Sequence, residues 1–272
     1  MINRITTTTQ KWWQTMLVCW SNVYVYRINF LLQIIGPAIV FFFIKYSLWF
    51  SIFQGDFSRE IGGYTLSSML EYHLWTLVVS VIGLGNSGHE LSQDIRMGRI
   101  TSYFIYPFSL WEFHMAQFLA MQVVKIFTAS LVIGLSFTFL DQIFTGFSWQ
   151  ACLNGWLMSM VVALFWFMVQ YMIGLLAFWL EETWTFRVII HTVTQFFSGA
   201  IIPLDLYPQW MRQALEYTPF PYLVYQPVHA FSGRAVDVGW SITILCFWIL
   251  ITSALTLWVW KRGVRLYTAA GM

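Results

Sequence analysis

Charged side chains are scarce in this sequence. Asp, Glu, Lys and Arg make up 10% of the 272 residues, whereas ordinary soluble domains carry about 25%. Hydrophobic residues make up 58% and aromatic residues 20% of the chain. A folded chain of this size cannot hide that much apolar surface from water. The composition therefore excludes an ordinary soluble domain and predicts that lipid surrounds most of the chain, with many aromatic rings at the membrane interfaces.

Several chemical groups are also missing. Cys19, Cys152 and Cys246 lie far apart and form no CxxC motif, which predicts buried thiols and neither a disulfide nor a zinc site. None of the four lysines follows a glycine, so the chain has no P-loop and cannot bind ATP through one. The net charge of +2 is too small to indicate a nucleic-acid partner. We expect no metal and no cofactor in this chain.

Two short motifs imitate known sites but lack their context. The letters "GLGNSG" at 83–88 match the dinucleotide fingerprint, yet more membrane helix follows instead of a βαβ unit. The letters "HELSQ" at 89–93 begin like the zinc-protease motif HExxH, but glutamine stands where the second zinc ligand belongs. Neither motif therefore indicates a site.

Six apolar stretches are long enough to span a bilayer, which requires roughly 20 residues. They are residues 30–53, 64–84, 113–140, 151–180, 188–206 and 238–260. The sequence shows no internal repeat and no linker, so we expect a single transmembrane domain over residues 1–272. The predicted fold is an all-α membrane protein of six transmembrane helices.

The distribution of basic residues predicts the orientation. With both termini in the cytoplasm, three basic residues lie outside: Arg59, Arg212 and Arg234. Nine lie inside: Arg4, Lys11, Arg27, Arg96, Arg99, Arg187, Lys261, Arg262 and Arg265. Because cytoplasmic loops carry the excess of Lys and Arg, we expect a multi-pass protein with both termini cytoplasmic.

Residues 1–29 precede the first predicted span. Tryptophan and tyrosine residues between Lys11 and Arg27 are typical of an amphipathic helix that lies in the membrane interface. The alternative is a simple extension of the first span.

The predicted inner loop after the second span favours a short polar helix. Ser87 and Glu90 have the spacing of a capping box, which starts a helix, and Gly98 can end it. Its charged residues are Glu90, Asp94 and Arg96, and Arg99 comes just after it. Such a helix is suited to contact a cytoplasmic partner, although a solvated connector is the alternative.

The segment at 203–227 combines apolar residues with five of the seven prolines: Pro203, Pro208, Pro219, Pro221 and Pro227. Proline removes a backbone donor and breaks helices, and in lipid every backbone polar group needs a partner within the protein. We therefore predict short, broken, re-entrant helices on the outer side. The alternative is an ordinary extracellular loop, which the hydrophobicity of the segment disfavours.

Five ionisable residues fall within the predicted spans: Lys45, Glu71, His73, Lys125 and His191. A charged side chain costs roughly 2.5–3.5 kcal/mol at the bilayer centre, so these groups should avoid lipid at mid-depth. We expect a Lys45–Glu71 ion pair that stabilises packing; the alternative is that the five line a central path for a substrate.

The order of these motifs resembles a known family. "GHELSQDIRMGRITSYFIYP" and "FFSGAIIPLDLYPQWMRQALEYTPFPYLVYQP" are similar to patterns of ATP-binding-cassette (ABC) exporter permeases of the second type. "IGGYTLSSMLEYHLW" and "VYVYRINF" fit the bacterial branch of that family, whose members lie in the inner membrane. The resemblance covers nearly the whole chain.

The resemblance implies a non-catalytic permease subunit of an exporter. It implies a dimer with a second copy or a related permease, and separate ATPase chains that bind ATP and Mg²⁺. The coupling helix would contain Glu90, Asp94, Arg96, Gly98 and Arg99. The outer gate would contain Pro203, Pro208, Trp210, Pro219, Phe220 and Pro221. The cargo would be an amphipathic or hydrophobic drug, lipid, glycan or peptide.

Two other functions stay open at the level of sequence. A secondary transporter would use the intramembrane ionisable residues as a proton or ion relay, although the inverted repeats typical of such folds are not detectable. A membrane-embedded enzyme acting on lipid would need a compact set of acid, base or metal-binding residues, and the sequence offers no such spacing.

Overall fold

The computed structural model describes residues 2–85, 88–105, 108–139 and 148–267. These residues form twelve α-helices and two short 3-10 helices. The α-helices are α1 (Ile2–Val25), α2 (Arg27–Ile52), α3 (Leu66–Gly83), α4 (His89–Arg96), α5 (Ile100–Ile105), α6 (Leu110–Phe139), α7 (Trp149–Leu175), α8 (Trp184–Phe197), α9 (Gln209–Leu215), α10 (Phe220–Leu223), α11 (Tyr225–Phe231) and α12 (Val238–Leu266). The 3-10 helices are Leu176–Phe178 and Leu204–Leu206. The predicted all-α membrane fold fits this architecture.

Five helices in the described part of the chain are long and apolar enough to cross a membrane. They are Arg27–Ile52, Leu66–Gly83, Leu110–Gly134, Trp149–Phe178 and Val238–Leu266. They overlap the first, second, third, fourth and sixth predicted spans, with ends that differ by a few residues. Leu140, the last residue of the third predicted span, lies outside the described residues.

The fifth predicted span, 188–206, is not one continuous helix. Its helical part, α8, covers 14 residues and is therefore about 21 Å long, shorter than the roughly 30 Å hydrocarbon core of a bilayer. The chain turns after Phe197, and Gly199 adopts a φ of +85°, a left-handed conformation that favours glycine. Pro203 then begins the 3-10 helix Leu204–Leu206. The predicted fifth span was too long because residues 198–206 are apolar, and hydropathy does not distinguish an apolar turn from an apolar helix.

The helix α7 forms the centre of the bundle, because α3, α4, α11 and α12 all pack against it. Phe231 of α11 stacks on Trp75 of α3 with ring centroids 4.7 Å apart. Gly155 of α7 makes room for this pair, since a Cβ there would lie 2.4 Å from the Phe231 ring. Trp75 lies about midway along α3, so α11 penetrates well into the helix bundle.

The N-terminal helix α1 is distinct from α2, since the α-helical geometry breaks at Tyr26. It packs along the first part of α6, where the Trp20 indole donates to the Ala120 carbonyl oxygen at 2.9 Å. Trp12 also makes an edge-to-face contact with Phe108. The predicted helix before the first span is therefore present, with α6 as its support and with Arg27 already in α2.

The two ends of α3 lie near two different groups of residues, which we call the Asp205 end and the α4 end. Thr65 caps the start of α3, where its side chain accepts from the Ser68 amide, and Tyr64 immediately before it contacts Asp205. The other end of α3, at Gly83, leads to α4. With 18 residues, α3 separates the α4 end from the Asp205 end by about 27 Å.

Candidate functional site

The polar helix predicted from 90–99 exists as α4, followed by a turn. α4 is amphipathic: Leu91 and Ile95 are buried, whereas Arg96 is exposed. The helix ends before Gly98, whose φ of +73° is the left-handed conformation typical of a helix end. Ser87 of the predicted capping box lies outside the described residues, so that interaction stays a prediction.

Two glycines bring α4 into close contact with α7. A Cβ on Gly88 would lie 2.1 Å from the backbone oxygen of Gln170, and one on Gly174 would lie 2.9 Å from the Leu91 side chain. Larger residues at either position would therefore force the two helices apart. Leu91 belongs to a buried cluster that also contains Phe167 and Leu175, so α4 is seated firmly on the bundle.

A buried arginine links α4 to α8. The Arg187 guanidinium donates to the carbonyl oxygen of Gly88 and to Ser92 Oγ at 3.2 Å. The Gly88 carbonyl stands at the start of α4, and the buried charge of Arg187 is stabilised through these polar contacts. From the sequence, Arg187 was only one of the nine basic residues predicted to lie on the cytoplasmic side. Its position near the start of a helix next to an inner loop gave no signal of this contact.

The predicted coupling residues surround the exposed face of α4. Arg99 pairs with Asp94 at 2.8 Å, and Arg96 pairs with Glu182 at 2.9 Å. Burial, and then the negative charge of Asp94, raise the pKa of Tyr103 to about 12, so this phenol stays protonated near Asp94. Arg96, Arg99 and Glu182 are exposed, whereas the Asp94 side chain is only 14% exposed. The exposed Arg96–Glu182 pair contributes at most about 1 kcal/mol to stability, so the two arginines remain available to a partner.

An apolar side chain projects beside these charges. Met97 is 62% exposed and directly follows α4, between Arg96 and Gly98. Glu90, at the other end of the helix, is exposed and accepts a hydrogen bond from Gln117 at 3.4 Å. A flexible methionine among charges suits a surface that binds another protein.

At the opposite end, the structure assembles a cluster that sequence reasoning missed. We call Tyr64, Asp205, Tyr225 and His229 the Asp205 cluster. The Asp205 carboxylate accepts from the Tyr64 hydroxyl at 2.5 Å and from the Tyr225 hydroxyl at 2.6 Å. His229 Nε2 lies 3.6 Å from the same carboxylate. The cluster joins the start of α3 to α11 and to the 3-10 helix Leu204–Leu206.

The environment keeps Asp205 ionised. Burial by itself would raise the pKa of the carboxyl, but the nearby His229 imidazole and the hydrogen bonds from Tyr225 and Tyr64 outweigh burial and hold the pKa well below its usual value. The only sequence signal was an acidic residue within the apolar run "IIPLDLYP".

The prolines and aromatic residues predicted for the gate occupy the broken segment after α8. Pro208 precedes α9, which is one of the short helices of the broken segment. Pro219 precedes α10 and Pro221 lies within it. Phe220 contacts the Phe197 ring at 5.8 Å. Of the two remaining residues, Pro203 is buried, whereas Trp210 is 67% exposed.

The backbone carbonyl oxygens of the turn after α8 accept hydrogen bonds from residues of neighbouring segments. Tyr72 donates to the Gly199 carbonyl oxygen at 2.7 Å, and the Tyr225 amide donates to the Ser198 carbonyl oxygen at 3.0 Å. Lys45 Nζ donates to the Ile201 carbonyl oxygen. The hydrogen bond that the structure gives Lys45 is thus to a backbone carbonyl rather than to Glu71.

The five intramembrane ionisable residues do not form one cluster. Glu71 accepts from the Trp75 indole at 3.3 Å, and His73 Nε2 accepts from the Trp49 indole at 2.7 Å. On α8, His191 Nε2 lies 3.4 Å from Gln195, and Lys125 is on α6. In the described ranges, no hydrogen bond or ion pair links His191 or Lys125 to Lys45, Glu71 or His73. This arrangement gives little support to a continuous relay.

Comparison with known proteins agrees with this architecture. A family model described as "ABC-2 family transporter protein" matches residues 17–271, and the search of curated proteins found no match. The family match confirms the resemblance inferred from the motifs and identifies a multi-pass transport permease. The chain belongs to the ABC-2 family of transporter proteins.

Proposed function

We propose that this chain is the permease subunit of an ABC exporter, in which separate ATPase chains supply the energy. The observation that carries this proposal is the exposed surface formed by Arg96 of α4 and by Met97 directly after it. Arg187 and Gly88 hold the other side of α4 against the bundle. ATP and Mg²⁺ would be bound by the ATPase chains, and the permease itself would catalyse no reaction. No feature suggests nucleic acid as a partner.

The connection from α4 to the Asp205 end would transmit the conformational change. Closure of the ATPase chains on ATP would displace α4, and Arg187 would pass that displacement to the start of α8. The far end of α8 contacts Phe220 through Phe197. A ligand shifts a two-state equilibrium only if it binds the two states differently, and here the ATPase closure would supply that difference.

The broken segment after α8 would form the outer gate. Its 3-10 helix and α11 are tied to α3 through Asp205, Tyr64 and Tyr225, so release of these contacts would let the segment move. The cargo would be amphipathic or hydrophobic, in keeping with the methionine-rich and aromatic spans. The candidate cargo classes are drugs, lipids, glycans and peptides.

In this proposal, α8 and the turn that follows it at residues 198–203 together make the sixth membrane pass, beside the five longer helices. Both termini lie in the cytoplasm of a bacterial cell. The bias of nine basic residues to three supports this orientation. The chain would pair with a second copy or a related permease, and α1 would lie at the inner interface in contact with membrane lipids.

Cross-linking tests the proposal. Met97→Cys, in a chain whose three native cysteines are replaced by alanine, is expected to cross-link to a co-purified chain that contains a P-loop. The yield should change when ATP is added. Trp210→Cys is a matched exposed control on the other end and should not cross-link to that chain. Equal cross-linking of both variants, or isolation of a fully active permease with no ATPase chain, would contradict the proposal.

A further inference from the structure

An open cleft lies beside the Asp205 cluster. Its volume is about 510 Å³, within the range of roughly 300–1,000 Å³ that small-ligand pockets have. Arg212, Arg234, Gln226 and the Asp205 cluster contribute its polar side chains. Gly62 and Gly63, which have φ values of +60° and +82°, form a tight turn in the wall and add no side chains.

The two arginines of the cleft, Arg212 and Arg234, form only weak contacts with other side chains of the cleft. The nearest Arg212 nitrogen lies 3.9 Å from Asp205 Oδ1, and its side chain is 46% exposed. The Arg234 guanidinium stacks on the Tyr64 ring at 4.4 Å. Within the part of the chain that the structure describes, Arg234 forms no ion pair. Both side chains therefore keep donors for a ligand.

Asp205 can balance only one of the two positive charges of Arg212 and Arg234. Its two carboxylate oxygens already accept short hydrogen bonds from Tyr64 and Tyr225, and the Arg212 guanidinium lies 3.9 Å away. Two guanidinium groups against one carboxylate leave a net positive charge in the cleft. Guanidinium groups match the geometry of oxyanions, phosphate in particular. The chemistry of the cleft therefore selects an anion.

The position of the cleft indicates a phosphate of the kind found at a membrane surface. Tyr64 lies two residues before the start of α3, and Val236 lies two residues before the start of α12. Both helices are apolar enough to cross a membrane, so the cleft lies where the hydrocarbon region ends and lipid headgroups begin.

We propose that this cleft binds a phosphate-bearing anionic group, with Arg212 and Arg234 as its hydrogen-bond donors. The group is either the headgroup of an anionic phospholipid or a free phosphate, because both present the same oxygens. The site goes beyond the proposed coupling function: it requires no ATPase, and its binding is measurable on the permease alone.

Calorimetric titration of the full chain in a neutral detergent tests the proposal. The probes are short-chain phosphatidylglycerol, short-chain phosphatidylcholine and inorganic phosphate. Arg234→Gln and Arg212→Gln are each expected to weaken binding of phosphatidylglycerol at least tenfold, whereas Arg234→Lys retains part of the affinity. Arg59→Gln, an exposed arginine outside the cleft, is the matched control and should bind as the unmodified chain does.

The pattern of outcomes separates the two sources of phosphate. Binding of phosphatidylglycerol but not of inorganic phosphate supports the site and assigns it to a lipid headgroup. Binding of both probes supports it and assigns it to the phosphate itself. The proposal is overturned if neither binds, if phosphatidylcholine binds equally well, or if Arg59→Gln weakens binding as much as Arg234→Gln does.

Discussion

Arg187 and Phe197 lie near opposite ends of α8, and each contacts a different segment of the chain. Arg187 donates to Gly88 at the start of α4, and Phe197 packs against Phe220 in the broken segment. Ten residues of helix place them about 15 Å apart along its axis. A helix of this length moves as a stiff unit, so α4 and the broken segment are joined mechanically through α8.

The contact between Arg187 and α4 should be essential for coupling. Arg187→Ala leaves the buried Gly88 carbonyl without this donor, which costs about 1–3 kcal/mol and loosens α4. We expect coupled transport to fall sharply while ATP hydrolysis by the ATPase chains continues. Transport and hydrolysis measured side by side in proteoliposomes check this. Arg59→Ala, at an exposed site, is the control; an Arg187→Ala variant with normal coupling would show that α8 is not the connection.

Because α4 lies so close to α7, we expect a larger residue at Gly88 to lower the stability of the protein. Gly88→Ala places a Cβ 2.1 Å from the Gln170 backbone oxygen, and such overpacking costs about 1–3 kcal/mol. The thermal midpoint in detergent should fall. Gly134→Ala is the matched control, since a Cβ there meets nothing within 4 Å and alanine favours a helix by about 0.5–1 kcal/mol. An unchanged midpoint for Gly88→Ala would contradict the close contact.

The sequence predicted the parts of the fold that depend on composition and local capping. Long apolar runs identified five spanning helices, and Gly98 correctly indicated the end of α4. The end of α8 was wrong because the turn at Gly199 lies inside an apolar run and depends on tertiary contacts, including the Tyr72 hydroxyl that bonds to its carbonyl.

The long-range polar contacts could not be predicted for a different reason. Asp205 and Tyr64 are 141 positions apart in the chain, and Arg187 and Gly88 are 99 apart. Neither pair has a local pattern that sets its geometry. Periodicity and capping describe neighbours along a helix, whereas these contacts arise only when the helices pack.

Asp205 should make stability depend on pH. Its pKa in the folded protein lies below its ordinary value of about 3.9, so the carboxylate contributes stability above roughly pH 4 that is lost as the pH falls further. Asp205→Asn should lower the thermal midpoint at pH 7, with a smaller difference from the unmodified chain at pH 3. Glu60→Gln changes an exposed carboxylate near the same end and should have little effect at either pH. A difference that grows on acidification would refute this assignment.

The charged face of α4 should be needed for coupling but not for folding. Asp94→Ala combined with Arg96→Ala removes both ion pairs beside α4. The exposed Arg96–Glu182 pair contributes about 1 kcal/mol at most, and loss of the half-buried Asp94 also removes its contact with Tyr103. We expect the variant to insert normally and to bind the ATPase chains weakly, with transport uncoupled from hydrolysis. Co-purification yield and transport per ATP hydrolysed measure this. Glu181→Ala, an exposed acidic residue next to Glu182, is the control and should leave both values unchanged.

The orientation in the membrane can be tested by labelling from one side. Gln209 and Met97 are both exposed and lie at the Asp205 end and the α4 end, respectively. In intact cells, a membrane-impermeant thiol reagent should modify Gln209→Cys, because the basic-residue bias places that end outside. It should modify Met97→Cys only after the membrane is permeabilised. Both variants are made in the chain without native cysteines, and labelling of both in detergent confirms that each thiol is reactive. The reverse pattern in intact cells would invert the topology and place α4 on the side that lacks ATP, which no ATPase-coupled mechanism can accommodate.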